Sequence, residues 1–119
     1  MLGGWLTRPN EPKRTPDQII LFAKYTVQPG KRSEFSKVLL DGLSTIQTDE
    51  PGTLSILLIE DENDADVVYV MERFKDQSAF DDHMNGEGAK KVGPVIRELM
   101  KSRDGGVFKA VAGFLSKDE

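Results

Sequence analysis

The sequence predicts an α+β domain whose elements follow in the order β-α-β-β-α-β, and three observations indicate it. Segments rich in β-branched and aromatic residues predict four strands, at Ile19–Val27, Thr53–Ile59, Val67–Phe74 and Val107–Leu115. Helical spacing of apolar residues lies between the first two strands and again between the last two. The length of 119 residues suits one domain and is too short for two independent cores.

The first helix has the clearest pattern. Its apolar residues fall at i, i+3, i+4, i+7, i+8 and i+11, which places them on one stripe: Phe35, Val38, Leu39, Gly42, Leu43 and Ile46. Charged and polar residues occupy the opposite face, and Pro51-Gly52 ends the element. We expect such a helix to pack its apolar face against the sheet.

The second helical region is predicted in pieces. Asp76 is the expected N-cap of a short helix over Gln77–Met84. Further along, Gly93-Pro94 is expected to interrupt the helix, because proline suits the first turn of a restarted helix better than a helix interior. Asp104-Gly105-Gly106 is expected to turn the chain into the last strand, which starts at Val107.

This order of elements is the ferredoxin-like arrangement, an antiparallel sheet with helices on one face. The first strand has apolar residues on both faces, since Leu21 and Ala23 share one face while Ile20 and Phe22 share the other. Because helices cover only one face of such a sheet, a second copy of the sheet is expected to cover the other. The sequence therefore predicts a homodimer.

Both ends of the chain differ from the domain between them. Residues 1–17 contain three prolines and a pair of glycines, which predict a flexible N-terminal arm without regular elements. Alternatively, the arm docks Trp5 and Leu6 onto a partner subunit, because an exposed indole is costly. The domain is expected to cover residues 18–116, and residues 117–119 are a polar tail.

The composition excludes several classes of function. The net charge of −4 and the isoelectric point of about 5.1 disfavour binding to nucleic acid or to an anionic membrane surface. The absence of cysteine excludes disulfides, thiol nucleophiles and thiolate metal sites, and a single histidine, His83, disfavours other metal sites. No apolar run approaches the ~18 residues of a membrane span, and no secretory signal is visible. We therefore expect a cytoplasmic protein without a metal site.

Three motifs follow one another along the predicted domain. Val27-Gln28-Pro29-Gly30-Lys31 closes the first strand, Glu50-Pro51-Gly52 precedes the second, and Glu72-Arg73-Phe74-Lys75-Asp76 runs into Ala79-Phe80 and His83. Each motif alone is weak evidence. Together, and over nearly the whole predicted domain, they resemble the antibiotic biosynthesis monooxygenase family.

The resemblance implies a dimeric α+β barrel in which each protomer keeps its own pocket between the sheet and the helices. Known members of the family include oxygenases that need no metal or flavin and that oxidise phenolic or anthrone-like rings with molecular oxygen. It thus implies a cofactor-independent monooxygenase acting on a small aromatic or polyketide-type metabolite. The fold also serves haem degradation and isomerisation, and Phe74, where many relatives have tryptophan, disfavours haem degradation.

Such an oxygenase must bind a flat acidic substrate in a dry pocket, remove a proton and stabilise the anion that then passes an electron to dioxygen. His83 is the candidate base because imidazole titrates near pH ~6.5, although it can instead tie the short helix to the sheet. Glu72 is the second candidate, as a base or as the partner that orients His83. The favoured alternative for Glu72 is a salt bridge to Arg73, Lys75 or Arg97.

Other side chains are candidates for binding the substrate. Tyr25 and Tyr69 can donate to a developing oxyanion, although tyrosines on strands more often pack half-buried. Lys24 can neutralise a bound phenolate or extend into solvent. Five residues are candidates for the apolar walls of the pocket, and core packing also explains them: Phe22, Met71, Phe74, Phe80 and Phe108.

Two other functions stay open. An isomerase or detoxifying enzyme for a small carbonyl compound also needs a general base in this pocket. A non-enzymatic dimeric binding or scaffold protein fits as well, in which the arm contacts another component through Trp5 and the basic residues Arg8, Lys13 and Arg14.

Overall fold

The computed structural model describes residues 13–14 and 17–113. The strands in this part of the chain are β1 (Lys13–Arg14), β2 (Ile19–Val27), β3 (Thr53–Glu60), β4 (Val67–Phe74), β5 (Met100–Lys109) and β6 (Ala112–Gly113), and the helices are α1 (Arg32–Asp49), α2 (Gln77–Met84) and α3 (Glu87–Leu99). Strands β3, β4, β2 and β5 form a four-stranded antiparallel sheet in that order. The predicted ferredoxin-like arrangement is confirmed.

The core lies between one face of the sheet and the helices. Alternate residues of the two central strands are buried on this face, among them Ala23 of β2 and Val68 and Phe74 of β4. Phe35 of α1 and Ile96 of α3 are buried in the same layer. Because burial of apolar surface stabilises by ~25 cal/mol per Å², this layer fixes which face of the sheet carries the helices.

The last strand begins earlier than the sequence predicts. β5 starts at Met100, and the predicted turn at Asp104-Gly105-Gly106 is a central part of it, with Gly105 opposite Ala23. Gly105 has a φ of 146°, and a side chain there would collide with the carbonyl oxygen of Phe22. The prediction of a turn was therefore wrong, because this glycine allows close approach of two strands rather than a reversal of the chain.

Helix α3 is continuous through Pro94, where the sequence predicts an interruption. Inside a helix, a proline ring removes one hydrogen bond and clashes both with the carbonyl one turn earlier and with the Cβ and the N–H of the residue before it. Gly93 has no Cβ, which removes part of that clash. Pro94 is also exposed, so water can supply the hydrogen bond that the ring removes from the helix.

The sheet face opposite the helices is apolar and uncovered by any other element of the described chain. Phe22 is 40%, Leu57 53% and Phe108 55% exposed on it. Met71 lies on the same face, since it pairs in register with both Phe22 and Leu57. Contiguous apolar surface of this kind is characteristic of a binding surface.

The ends of the described chain form a second, short ladder. Lys13–Arg14 pairs antiparallel with Ala112–Gly113. The prediction that no regular element occurs before residue 18 is thus wrong at these two positions, because backbone pairing with β6 compensates for the weak local propensity. Trp5, Leu6 and Arg8 and the polar tail at 117–119 lie outside the described residues. Among the described helices, none is long and apolar enough to cross a membrane.

Candidate active site

A cavity of about 420 Å³ separates the helix-facing side of the sheet from α1 and α3. Most of its lining is apolar and comes from both layers, for example from Leu43 and Ile46 of α1, Val70 of β4 and Val92 of α3. Sites for small organic ligands are commonly concave, largely apolar and ~300–1,000 Å³ in volume. The cavity therefore has the size and character of a site for a small organic molecule.

His83 lies at this cavity with each ring nitrogen facing a carboxylate. Its Nδ1 is 2.6 Å from Oε1 of Glu50, and its Nε2 is 2.9 Å from Oε1 of Glu72. Glu50 follows the last turn of α1, and Glu72 lies on β4. The histidine on α2, 7% exposed, therefore connects one helix end and the sheet through two charge-assisted contacts.

Local sequence positions His83 on this side of α2. Asp76 is the N-cap of the helix, as predicted, and its Oδ1 accepts a hydrogen bond of 2.9 Å from the backbone N–H of Ala79. One turn later, Phe80 and His83 point inward at i and i+3. The buried ring of Phe74 packs beneath both, with centroids 5.3 Å from Phe80 and 5.1 Å from His83.

Gly52 allows α2 to approach the turn that carries Glu50. A Cβ at Gly52 would lie 2.5 Å from the Cβ of Ala79, closer than two carbons can pack. The backbone carbonyl of Gly52 also accepts a hydrogen bond of 2.8 Å from the N–H of Lys75. The Glu50-Pro51-Gly52 motif therefore brings a carboxylate and the His83 helix together.

Two opposed effects act on the pKa of His83. Burial alone would lower this pKa, but the contacts with Glu72 and Glu50 outweigh burial and raise it above the ordinary value of 6.5. The doubly protonated ring offers two N–H donors, which match two carboxylate acceptors. The pair of glutamates thus favours the imidazolium form.

The structure brings together Tyr25, Glu72 and His83 among the predicted site residues, and all three line the cavity. The favoured salt bridge of Glu72 to Arg73, Lys75 or Arg97 was wrong, since Glu72 pairs with His83. Arg73 cannot pair with Glu72 because adjacent residues of a strand point to opposite faces of the sheet.

The other predicted residues lie away from the cavity. Lys24 pairs in register with Tyr69, and Phe22 with Met71, on the opposite face of the sheet. Tyr69 donates a hydrogen bond of 3.1 Å to Oδ2 of Asp61 in the loop before β4. Two further aromatic residues, Phe74 and Phe80, support His83 from the core and do not line the cavity.

Sequence reasoning missed the roles of Glu50 and Arg103 and placed Arg97 only as a partner of Glu72. Arg103 lies next to the predicted turn, but it is opposite Tyr25 in the sheet. Its Nε donates a hydrogen bond of 3.2 Å to the hydroxyl of Tyr25, and both arginines line the cavity. The signal that could have found Arg103 is the strand register, which becomes visible only once β5 is known to start at Met100.

Within residues 13–14 and 17–113, no group of three or more His, Asp or Glu side chains is arranged to hold a metal ion. The polar groups that reach the cavity are instead a carboxylate, an imidazole, a phenol and two guanidinium groups, from Glu72, His83, Tyr25, Arg97 and Arg103. Such a set can take up a proton and bind an anion.

A family model described as antibiotic biosynthesis monooxygenase matches residues 18–93. This segment includes Tyr25, Glu50, Glu72 and His83 and ends before the two arginines of the cavity. Among curated proteins, no sequence matches the chain.

Solved structures share the fold over most of its length. One from Caulobacter crescentus CB15, named as an antibiotic biosynthesis monooxygenase, is 27% identical, with a TM-score of 0.75 over 82% of this chain and 93% of that one. A variant of SnoaB from Streptomyces nogalater, named a cofactor-independent oxygenase, is 19% identical, with a TM-score of 0.70 over 79% of this chain and 93% of that one. A protein from Shewanella oneidensis is 22% identical, with a TM-score of 0.76 over 85% and 98% of the two chains.

Proposed function

This chain belongs to the antibiotic biosynthesis monooxygenase family, and from that premise we propose that it is a cofactor-independent monooxygenase-like enzyme for a small aromatic or polyketide-type metabolite. The observation that carries the proposal is the contact of Glu72 with His83 at one end of an apolar cavity. The likeness in fold to SnoaB, itself named a cofactor-independent oxygenase, supports it.

In this proposal Glu72 takes the proton from the substrate. Both nitrogens of His83 face carboxylates, so the histidine acts on Glu72 rather than on the substrate. The second carboxylate oxygen of Glu72 makes no ion pair or hydrogen bond with another described residue, and Glu72 lines the cavity. The imidazolium of His83 orients the carboxylate and compensates its charge in an apolar surrounding.

Tyr25 is the proposed donor to the anion that this step creates. Its oxygen already accepts a hydrogen bond from Arg103, so the hydroxyl hydrogen is free to be donated. Glu72 pairs with Leu21 on β2, four residues from Tyr25, so the backbone positions of the two residues are about 13 Å apart along the sheet. An anthrone-type ring carries its acidic carbon and its carbonyl oxygen on opposite sides of one ring, which suits two groups that extend into one cavity from separate positions on the sheet.

The reaction then needs only the substrate anion and dioxygen. The anion passes one electron to dioxygen, and the two radicals combine at the deprotonated carbon. The peroxide formed at this carbon takes back the proton that Glu72 holds, and loss of water from the hydroperoxide converts the former CH₂ group to a carbonyl. One oxygen atom enters the product, and the other leaves as water with the remaining C–H hydrogen and the returned proton. The residues of the cavity supply binding, proton removal and charge stabilisation.

The same proposal includes a homodimer formed through the uncovered sheet face. Phe22, Leu57 and Phe108 on that face are each at least 40% exposed. A second copy would bury them, as isologous dimers bury the same patch from both subunits.

Oxygen uptake with a panel of anthrones and hydroquinones tests the activity. We expect the wild-type protein to consume oxygen, and E72Q to lower kcat by ~10²–10⁴, the usual contribution of a general base. E62Q in the exposed loop before β4 removes the same charge away from the cavity and should leave kcat unchanged. Because E72Q can weaken the fold, Y25F provides a second variant, with Y69F on the opposite sheet face as its control.

Lack of uptake by the wild-type protein across the panel would contradict the monooxygenase proposal. Turnover of a small carbonyl compound without oxygen consumption, lost in E72Q, would favour the isomerase alternative instead. Equal activity of wild type and E72Q would show that Glu72 is not the base.

A further inference from the structure

We infer that Glu50 is a positioning residue of the proposed site: it holds the second proton of His83, and through His83 it fixes the charge and the direction of the proposed base, Glu72. The inference rests on the proposed function of the cavity and adds a residue that does not touch the substrate. The chain of carboxylate, imidazole and carboxylate that these three residues form connects two separate depressions of the protein.

Glu50 lies outside the cavity that Glu72 lines. The wall of the cavity contains Glu72 and His83 but not Glu50. Glu50 instead lines a second cleft of about 580 Å³, between the end of α1, the start of α2 and the start of α3. A substrate in the cavity therefore contacts Glu72 and not Glu50, so the route from Glu50 to the reaction passes through His83.

The carboxylate of Glu50 is held firmly where it meets His83. Its Oε1, which lies 2.6 Å from Nδ1 of His83, also accepts a hydrogen bond of 2.9 Å from the hydroxyl of Thr53. The backbone N–H of Glu50 donates to the carbonyl of Ile46 at 3.0 Å, and its own carbonyl accepts from the N–H of Thr53 at 3.0 Å. Backbone and side chain are thus both fixed, and the side chain is only 19% exposed.

Two carboxylates at one imidazole select the charged form of the ring. A neutral imidazole has one N–H and can donate to Glu50 or to Glu72, but not to both. The imidazolium donates to both, and the two contacts raise the pKa of His83 despite its burial. Glu50 therefore favours the form of His83 that gives Glu72 a hydrogen bond and a compensating positive charge together. Such compensation keeps a carboxylate ionised in an apolar surrounding.

Other ionisable side chains surround this chain of contacts. Those that line the second cleft are Asp49 of α1, Lys75 and Asp76 before α2, Asp82 of α2 and Glu87 of α3. Those that line the cavity besides Glu72 are Tyr25, Arg97 and Arg103. In the part of the chain that the structure describes, His83 forms its ion pairs with Glu50 and Glu72, whose charges raise its pKa. Glu87 is therefore a matched control, an exposed acid of the same cleft that does not pair with the ring.

Nuclear magnetic resonance tests the contact without requiring turnover. The chain has one histidine, so in protein without a histidine tag the ring signals belong to His83. The shift of the Cε1 proton against pH gives the titration midpoint. We expect E50Q to titrate at lower pH than the wild type, because the amide has no negative charge to stabilise the imidazolium. E87Q should titrate as the wild type does, because exposed distant charges are screened. E50D keeps the charge on a shorter side chain and should lie between E50Q and the wild type.

The wild-type protein provides a second measurement, because E50Q can weaken the fold. In isotopically labelled protein below the titration midpoint, both ring nitrogens should carry a proton. The proton on Nδ1 should be strongly deshielded and protected from exchange by the short contact with Glu50. A proton on Nδ1 that exchanges with water too fast to be observed would overturn the inference.

The pH dependence of kcat separates positioning from a purely structural role. Below both titration midpoints His83 is protonated in the wild type and in E50Q, so their kcat values for oxygen uptake should agree within ~3-fold. Between the two midpoints His83 is neutral only in E50Q. There kcat of E50Q should be ~10-fold lower or more, the contribution of a hydrogen bond between charged groups. A purely structural role of Glu50 would lower kcat equally at every pH.

Three further outcomes would overturn the inference: an unchanged midpoint in E50Q, an equal shift in E87Q, or a change of kcat in E50Q that does not depend on pH. These outcomes are distinct from failure of the proposed function. If E50Q shifts the midpoint but the wild type consumes no oxygen, Glu50 holds the proton of His83 and the monooxygenase proposal fails. If E72Q is inactive but E50Q keeps the wild-type pH profile, the proposed function stands and the role of Glu50 fails.

Discussion

The imidazole of His83 and the carboxylate of Glu72 are in contact across the boundary between α2 and β4, with 2.9 Å between Nε2 and Oε1. Their side chains are only 9% and 13% exposed, so water cannot replace either partner fully. Glu50 completes the arrangement from the end of α1. Since Glu72 also lines the cavity, one contact serves both the packing of the helices and the proposed chemistry.

Replacing His83 by glutamine should destabilise the fold markedly. H83Q removes the positive charge and leaves two nearby carboxylates with little exposure, and losing one partner of a buried pair typically costs ~3 kcal/mol or more. Urea unfolding followed by circular dichroism measures the free energy of unfolding. E34Q breaks the exposed Lys31–Glu34 pair and is the control, with an expected loss of ~0.5 kcal/mol or less. A similar, small loss in both variants would show that the His83 contacts are not stabilising.

Stability should also depend on pH through His83. Because contacts with Glu72 and Glu50 raise the pKa of His83 in the folded state above 6.5, the folded protein retains this proton at a pH where the unfolded chain has lost it. The stabilisation is complete below the unfolded pKa and declines as pH rises through the folded pKa. The difference in free energy of unfolding between wild type and H83Q, measured from about pH 6 to about pH 10, should therefore shrink with increasing pH. A difference that grows with pH would contradict the raised pKa.

Periodicity was enough to predict most of the fold, because burial on one face of a helix or strand leaves a regular pattern in the sequence. In the sequence, two-residue alternation puts Glu72 on the face shared by Val68, Val70 and Phe74. Helical spacing puts His83 on the same side of α2 as Phe80. The contact of His83 with Glu50 joins residues 33 apart, and no local pattern records it.

The predictions that failed depend on residue types or patterns that are compatible with more than one local structure. Gly105 favours a turn by composition but serves here in a strand at a point of close approach. That interpretation started the predicted strand too late, at Val107 instead of Met100, and so hid the pairing of Arg103 with Tyr25. Likewise, β2 is apolar on both faces, so alternation alone could not decide which of its residues would face the helices.

The packing of Gly52 against Ala79 should be essential for placing His83. G52A introduces a Cβ that would lie 2.5 Å from the Cβ of Ala79, so α2 must shift away from the Glu50 turn. We expect lower stability by ~1–3 kcal/mol, as for other overpacked sites, and a loss of the proposed activity. The double variant G52A/A79G removes the clash and should recover part of both losses, despite the ~1 kcal/mol that glycine costs in a helix. A double-mutant cycle with no coupling would contradict this contact.

The uncovered sheet face should determine the association state. F108D places a charge on a residue that is 55% exposed in the single chain and, in the proposed dimer, is buried against the partner sheet. Analytical ultracentrifugation should give twice the chain mass of 13.2 kDa for the wild type and the single-chain mass for F108D, because an unpaired charge in an apolar interface costs several kcal/mol. L40D is the matched control, since Leu40 is 54% exposed but lies on α1, away from this face. Monomeric wild-type protein, or dissociation of L40D as readily as F108D, would contradict the proposed interface.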